Sequence, residues 1–142
     1  MSVAQILAAK GPDVVTISPH HTLQEASAVL AERGIGAVIV SDGGDVLGII
    51  SERDIVREIG RAGESVLRDP VSAHMTSKIV TTEPGEAVDQ VMEMMTRGRF
   101  RHLPVMDNRR LVGVVSIGDV VKYRLESMQS EFNAIRDYIT TA

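Results

Sequence analysis

The chain contains no cysteine and no tryptophan, and only two tyrosines and two phenylalanines among its 142 residues. The absence of thiols excludes disulfides and cysteine nucleophiles, and nothing suggests export. With so few aromatics the interior must be aliphatic, with the seven methionines as filler. No apolar run approaches the ~20 residues that a membrane-spanning helix needs. The first residues, Met1-Ser2-Val3-Ala4-Gln5, lack the basic and apolar regions of a secretion signal. A soluble, cytoplasmic protein with no membrane contact is the expectation. There is also no excess of positive charge. The net charge of −4 argues against nucleic acid as a partner, although arginines at 97, 99, 101, 109 and 110 leave room for a local basic patch.

What is present is a repeat. Val46-Leu47-Gly48-Ile49-Ile50-Ser51-Glu52-Arg53-Asp54 returns as Leu111-Val112-Gly113-Val114-Val115-Ser116-Ile117-Gly118-Asp119, an offset of 65 residues. The alignment runs without a gap back through Val40/Val105, Pro19/Pro84 and Thr16/Thr81. Such periodicity fixes architecture before any single element does. Each half, at about 60 residues, lies near the lower limit for an adequate core, so the halves should pack on each other.

Within each half the pattern reads strand, helix, strand, strand, helix. Val3 to Ala9 forms a lead-in helix stopped by Gly11-Pro12. Val14 to Ile17 is a short strand. Thr22 caps a helix whose Leu23, Ala26 and Leu30 share one face, and Gly34 ends it. Ala37 to Val40 and Val46 to Ile50 flank a turn, and a helix follows from Ser51 to about Arg61. After a polar connection from Gly63 to Ser72, the order repeats. Ile79 to Thr82 is a strand, and Val88, Val91, Met92 and Met95 mark a helical face. Leu103 to Met106 and Leu111 to Val115 are strands, and helix follows from Ile117. The tail carries Leu125, Met128, Phe132, Ile135 and Ile139 at helical spacing, an apolar stripe suited to its own chain, a twin subunit or a separate partner protein. The implied units are residues 1–65, the first repeat with its lead-in helix, 66–125, the second repeat with the connection, and the tail 126–142.

The serine–aspartate pairs are the chemical signal. Ser51-Glu52-Arg53-Asp54 and Ser116-Ile117-Gly118-Asp119 each follow a strand and open a helix. A helix N-terminus offers unpaired N–H groups and partial positive charge to a phosphate. A nearby ionised aspartate accepts only, so it suits the two hydroxyls of a ribose. The same Ser-x-x-Asp pattern is also a capping box that needs no ligand, and the two roles are compatible.

The phrase Gly-h-h-Ser-x-x-Asp (h, apolar) at the end of a β-α-β-β-α repeat resembles the CBS domain, and two tandem copies resemble a Bateman module. Gly48 to Asp54, Arg101-His102-Leu103-Pro104-Val105 and Gly113 to Asp119 carry the likeness, which covers Val3 to about Lys122. The whole is similar to small stand-alone bacterial proteins of this kind. The resemblance implies an α/β (α+β) fold, two repeats packed sheet to sheet about a pseudo-two-fold axis, with two clefts between them. It implies an adenosine-containing ligand there and a regulatory role. Carried over by position, Asp54 and Asp119 take ribose hydroxyls, Ser51 and Ser116 lie near ribose or phosphate, and Thr16 and Thr81 line the clefts. Gly36, Ala37 and Val38, with their repeat partners Arg101, His102 and Leu103, border base or phosphate. Arg99, Arg101 and His102 form a cationic patch that suits phosphate, and Arg53 is a further phosphate candidate whose repeat partner is Gly118. The clefts are therefore not equivalent.

Other signals are weaker. His20-His21 has no neighbouring ligand set for a metal, and His74 reads as a surface residue near the connection. Gly43-Gly44 with Gly48 has the wrong spacing for a dinucleotide fingerprint. No nucleophile elbow or paired acid–base carboxylates stand out, so no catalytic residues or catalytic cofactor are expected. The expected function is a sensor for an adenine nucleotide (AMP, ADP, ATP or NAD(H)), a homodimer modulating an unidentified partner. S-adenosylmethionine suits the arginines less because it has no phosphate. The alternative is an interaction or dimerisation module with vestigial clefts.

Overall fold

The computed structural model describes residues 1–11 and 13–141. The first half comprises α1 (Val3–Lys10), β1 (Thr16–Ile17), α2 (Leu23–Arg33), β2 (Ala37–Asp42), β3 (Asp45–Ser51) and α3 (Glu52–Ala62). Two 3₁₀ turns, Glu64–Arg68 and Val71–Ala73, form the connection. The second half comprises α4 (Val88–Gly98), β4 (His102–Asp107), β5 (Arg110–Ser116) and α5 (Ile117–Thr141). Local chemistry explains the boundaries. Thr22 and Glu25 form a reciprocal capping box at the start of α2, and Gly34 ends that helix in the left-handed region. Gly11, with φ of 92°, ends α1; Pro12, the expected stop, lies outside the described residues.

The sheets are small. β1 pairs parallel with β2, which pairs antiparallel with β3. β4 and β5 repeat the hairpin, with bulges at the equivalent places, Val40/Ser41 and Val105/Met106. The strand expected over Ile79 to Thr82 is reduced to one parallel bridge, Thr82 to Val105. Ile79 turns back on Ser77 and Val80 faces solvent, so only Thr82 reaches β4. The register is still that of Ile17 on Val40 in the first half.

Two aliphatic cores result, and their membership is exchanged. The first contains Ile17, Leu23, Leu30, Val38, Val40, Ile50 and Ile55, and also Val71 from beyond the connection. The second contains Val88, Val91, Met95, Leu103, Val105, Val115 and Val120, and also Val3 and Ile6 of α1. Ile6 and Val71 are repeat partners. The arm that precedes each half thus packs on the other half, as a two-fold relation between them requires. The lead-in helix consequently completes the second core rather than the first. Close backbone approach makes this possible at two glycines. A Cβ on Gly48 would stand 2.6 Å from the Thr76 carbonyl, and one on Gly113 would stand 2.5 Å from the Leu7 side chain.

α5 runs unbroken through residue 125, so the expected tail continues the second repeat's last helix. Among the described residues, no helix is long and apolar enough to cross a membrane.

Candidate functional site

Both serine–aspartate pairs sit where a β-hairpin delivers the chain into a helix. β3 ends at Ser51, whose hydroxyl accepts from the Asp54 N–H at 3.2 Å. The Asp54 Oδ2 accepts in return from the Ser51 N–H and hydroxyl, both at 2.9 Å. β5 ends at Ser116 in the same way. The Asp119 N–H donates to its hydroxyl at 3.1 Å, and the Ser116 N–H donates to Asp119 Oδ2 at 2.8 Å. Both pairs are therefore capping boxes. That role leaves one carboxylate oxygen of each aspartate aimed elsewhere.

The remaining oxygens differ. Asp54 Oδ1 accepts from Arg57 one turn along α3, at 2.6 Å. Asp119 Oδ2 also takes the ammonium of Lys10, at 2.8 Å, and that ammonium donates to the Val114 carbonyl at 2.6 Å. Asp119 Oδ1 accepts no hydrogen bond among the described residues. Burial pushes the Asp119 carboxyl up, but the Lys10 ammonium and the Ser116 donors outweigh it and hold it below the usual carboxylate range.

Each aspartate faces a cleft built from both halves. The Asp119 cleft, of about 510 Å³, sets Ser116 to Asp119 and Lys10 against Asp13 to Val15 and Gly34 to Ala37. The Asp54 cleft, of about 280 Å³, sets Ser51, Arg53, Asp54 and Arg57 against Thr76 and Arg99 to His102. The first volume lies within the range of small-molecule sites and the second just below it. Gly36, Glu52, Arg101 and His102 line both clefts and form the wall between them. A Cβ on Gly36 would meet His102 Nε2 at 3.2 Å and Glu52 Oε1 at 3.5 Å, so a side chain there would press on the His102 ring. Burial holds the His102 imidazole below its ordinary pKa; Glu52 and Asp119 oppose this, and Lys10 and Arg101 add to it.

Of the residues singled out in the sequence, Gly36, Ala37, Arg101, His102, Ser116 and Asp119 line the larger cleft. Gly36, Ser51, Arg53, Asp54, Arg99, Arg101 and His102 line the smaller one. Four others lie elsewhere. Val38 and Leu103 point into the two cores. Thr16 lines neither cleft, and Thr81 lines a separate hollow with Thr82, Glu83 and Arg109. Strand alternation is the reason: Ile17 and Thr82 take the inward positions, which turns Thr16 and Thr81 outward. The cleft walls come instead from the arms before these strands, through Gly11, Asp13, Val14, Val15 and Thr76. Lys10, Asp13, Glu52, Arg57 and Thr76 were missed. The repeat offset pairs Thr76 with Gly11, but nothing local in the pattern says that each arm crosses to the opposite half.

The histidines follow their own chemistry. His21 accepts from the Ser18 N–H at 3.1 Å. His74, expected on the surface, is 16% exposed and lies between Asp69, at 2.8 Å, and Glu58, at 3.6 Å. It ties the connection to α3. Among the described residues, no cluster of His, Cys, Asp and Glu suits a metal ion.

The family model described as CBS domain matches twice, over residues 3–61 and 71–126. The CBS domain-containing protein YhcV of Bacillus subtilis is 33% identical over 110 residues, covering 75% of this chain and 76% of its own. The crystal structure of the CBS-domain protein ATU1752 from Agrobacterium tumefaciens superposes with a TM-score of 0.85 at 47% identity, over 87% of this chain and 99% of that one. Two further structures contain ligands. PAE2072 from Pyrobaculum aerophilum, complexed with AMP, matches with a TM-score of 0.75 at 28% identity, over 84% of this chain and 89% of that one. The CBS domain pair of MJ0100, complexed with 5′-methylthioadenosine and S-adenosyl-L-methionine, matches with a TM-score of 0.77 at 26% identity, over 87% of this chain and 98% of that one. The duplicated hairpin–helix junctions, the exchanged arms and this double match agree: the chain belongs to the CBS-domain family, as a tandem pair of repeats.

Proposed function

We propose that the chain is a regulatory sensor, not an enzyme, that takes an adenine nucleotide (AMP, ADP, ATP or NAD(H)) in the clefts between its halves. The observation that carries this reading is the pair of cross-half clefts, each ending on a helix N-terminus whose first turn holds a serine and an aspartate. Helix-end N–H groups and arginines meet phosphate, and the carboxylates meet the ribose diol. AMP bound to one structural neighbour, and two other adenosine derivatives bound to a second, support the ligand class. A ligand touching both halves changes their relative orientation only as far as it binds one orientation better. The same protein is proposed to work as a homodimer whose state an unidentified partner reads.

Isothermal titration with AMP, ADP, ATP and NADH tests the reading. A hydrogen bond to a charged group contributes about 1.5–3 kcal/mol, so losing the relevant aspartate should weaken binding roughly tenfold to a hundredfold. Asp54→Ala and Asp119→Ala should therefore each be compared with wild type. Unchanged affinity in both removes the aspartates from the site. No heat with any of the four ligands removes the reading.

A second reading has its own observation. Leu125, Met128, Phe132, Ile135 and Ile139 on α5 are all more than half exposed, a stripe suited to protein contact. Both aspartates already hold a cation. In that reading the clefts are vestigial and α5 is the functional surface. A silent titration together with a stable dimer favours it.

A further inference from the structure

We propose that the two clefts sort adenosine derivatives by charge: the Asp54 cleft takes one that carries phosphate, and the Asp119 cleft takes one that does not. This rests on the adenine-ligand reading above. The wall residues Glu52, Arg101 and His102 serve both clefts and so do not discriminate. The residues particular to each cleft do.

The Asp54 cleft has three arginines of its own, Arg53, Arg57 and Arg99, against the single carboxylate Asp54. Arg57 is engaged with Asp54. Arg53 and Arg99 make no ion pair among the described residues, so both remain available to an anion. Arg99 is also held in an uncommon conformation. It ends α4 in the left-handed region, with φ of 56°, where its repeat partner Gly34 ends α2 with φ of 63°. A side chain there strains the backbone, and an arginine at a position that suits glycine marks its guanidinium as the group in use.

The Asp119 cleft has two carboxylates of its own, Asp13 and Asp119, against Lys10. The Lys10 ammonium spends two of its three donors on Asp119 and the Val114 carbonyl, and Asp119 balances its charge, so it brings no net positive charge to a phosphate. Asp13 makes no ion pair among the described residues. The repeat partners of Arg53 and Arg99 are Gly118 and Gly34, both on this cleft's wall. These two positions thus provide a free cation to one cleft and a glycine to the other, while Arg57 is matched by Lys122, which lines neither. The Asp119 cleft is the larger, so lack of room does not exclude phosphate. The unpaired carboxylate and missing arginines oppose it, while Asp119 Oδ1 is left to accept a ribose hydroxyl.

Titration of the full chain with AMP and with 5′-methylthioadenosine, alone and in sequence, tests this. Saturating AMP should leave a 5′-methylthioadenosine isotherm of one molecule per chain. Arg99→Gly, which installs the residue of the twin position and so suits the backbone, should weaken AMP roughly tenfold or more and spare 5′-methylthioadenosine. Asp119→Ala should do the reverse. Competition between the two probes for one site, or a greater effect of Asp119→Ala on AMP, overturns the sorting while adenine binding stands. Binding of neither probe overturns both.

Discussion

The two glycines at the crossings of the exchanged arms separate a rigid contact from a soft one. In Gly48→Ala the new methyl would stand 2.6 Å from the Thr76 carbonyl oxygen and 2.8 Å from Met75 Sδ. Ordinary contact begins at 3.4 Å, so the carbonyl must retreat by about 0.8 Å. It is not free to do so. The Thr76 carbonyl accepts from the Ile49 N–H at 3.0 Å, and the Thr76 N–H donates to the Ile49 carbonyl at 2.9 Å. Overpacking costs about 1–3 kcal/mol, and two lengthened backbone bonds add about 1 kcal/mol. Together these predict a loss of roughly 2–4 kcal/mol, or about 5–15 °C in melting temperature for a chain of this size. In Gly113→Ala the obstacle is the far end of Leu7, a half-buried side chain that escapes by rotation for about 1 kcal/mol. Urea unfolding of both variants, compared by midpoint at constant slope, measures the difference. Equal losses, or a Gly48→Ala variant within about 0.5 kcal/mol of wild type, would refute the account of how the arms cross.

Three other outcomes follow from the site. Lys10→Met, which installs the residue of the twin position Met75, should let the Asp119 carboxyl rise toward its ordinary range. A depressed carboxylate stabilises the fold above its unfolded pKa and loses that contribution as pH falls through the folded one, so the variant should be less stable at pH 7 and show a shallower loss in acid; identical unfolding curves across pH would count against the ion pair. His102 is held below its ordinary pKa in the free protein, and a phosphate beside it favours the charged form, so the imidazole should gain protons when AMP binds; titration in buffers of different ionisation heat measures the net proton exchange, and His102→Gln should shift it toward release. Phe132→Glu with Ile135→Glu should convert the proposed homodimer to monomer by light scattering with the far-UV spectrum unchanged, and a dimer that persists would place the subunit contact elsewhere.

Much of the fold was legible because it is written in local patterns twice over. Thr22 with Glu25, Gly34, the two hairpins and the two Ser-x-x-Asp junctions each follow from nearby residues, and the structure forms the hairpins and the junctions in register at the 65-residue offset. The exceptions share one cause. Ile79 to Thr81 has strand-like composition but lies too far out to meet β4, and α1 is a short apolar helix whose partner is not specified by its own sequence. Both are decided by how the halves cross. The same crossing brings Lys10, Asp13 and Thr76 into the clefts, while strand alternation turns Thr16 and Thr81 away. Periodicity identifies which face of a strand is apolar, but not which half the preceding arm visits. His74 misled for a similar reason: Asp69 is near in sequence, but Glu58 reaches it only through the packing of α3.

The exchange of arms also makes the two clefts mechanically unequal. Asp54 lies in the first turn of α3, an 11-residue helix that ends at the connection between halves. Asp119 lies in the first turn of α5, a 25-residue helix of about 37 Å whose far part carries the exposed stripe from Leu125 to Ile139. Lys10 ties that first turn to α1, and α1 itself rests on β5 and α5. Under the adenine-ligand reading, a ribose that draws on Asp119 therefore acts at the base of a long rod, where a tilt of about 4° moves the far end by about 2.6 Å. A ligand on Asp54 has no such lever and acts instead through the shared wall of Gly36, Glu52, Arg101 and His102. The cleft with no arginine of its own is thus the one joined directly to the apolar stripe, and the arginine-rich cleft reaches that stripe only by changing its neighbour. Coupling of this kind is reciprocal: if AMP in one cleft alters affinity in the other, the second ligand must alter AMP affinity by the same factor.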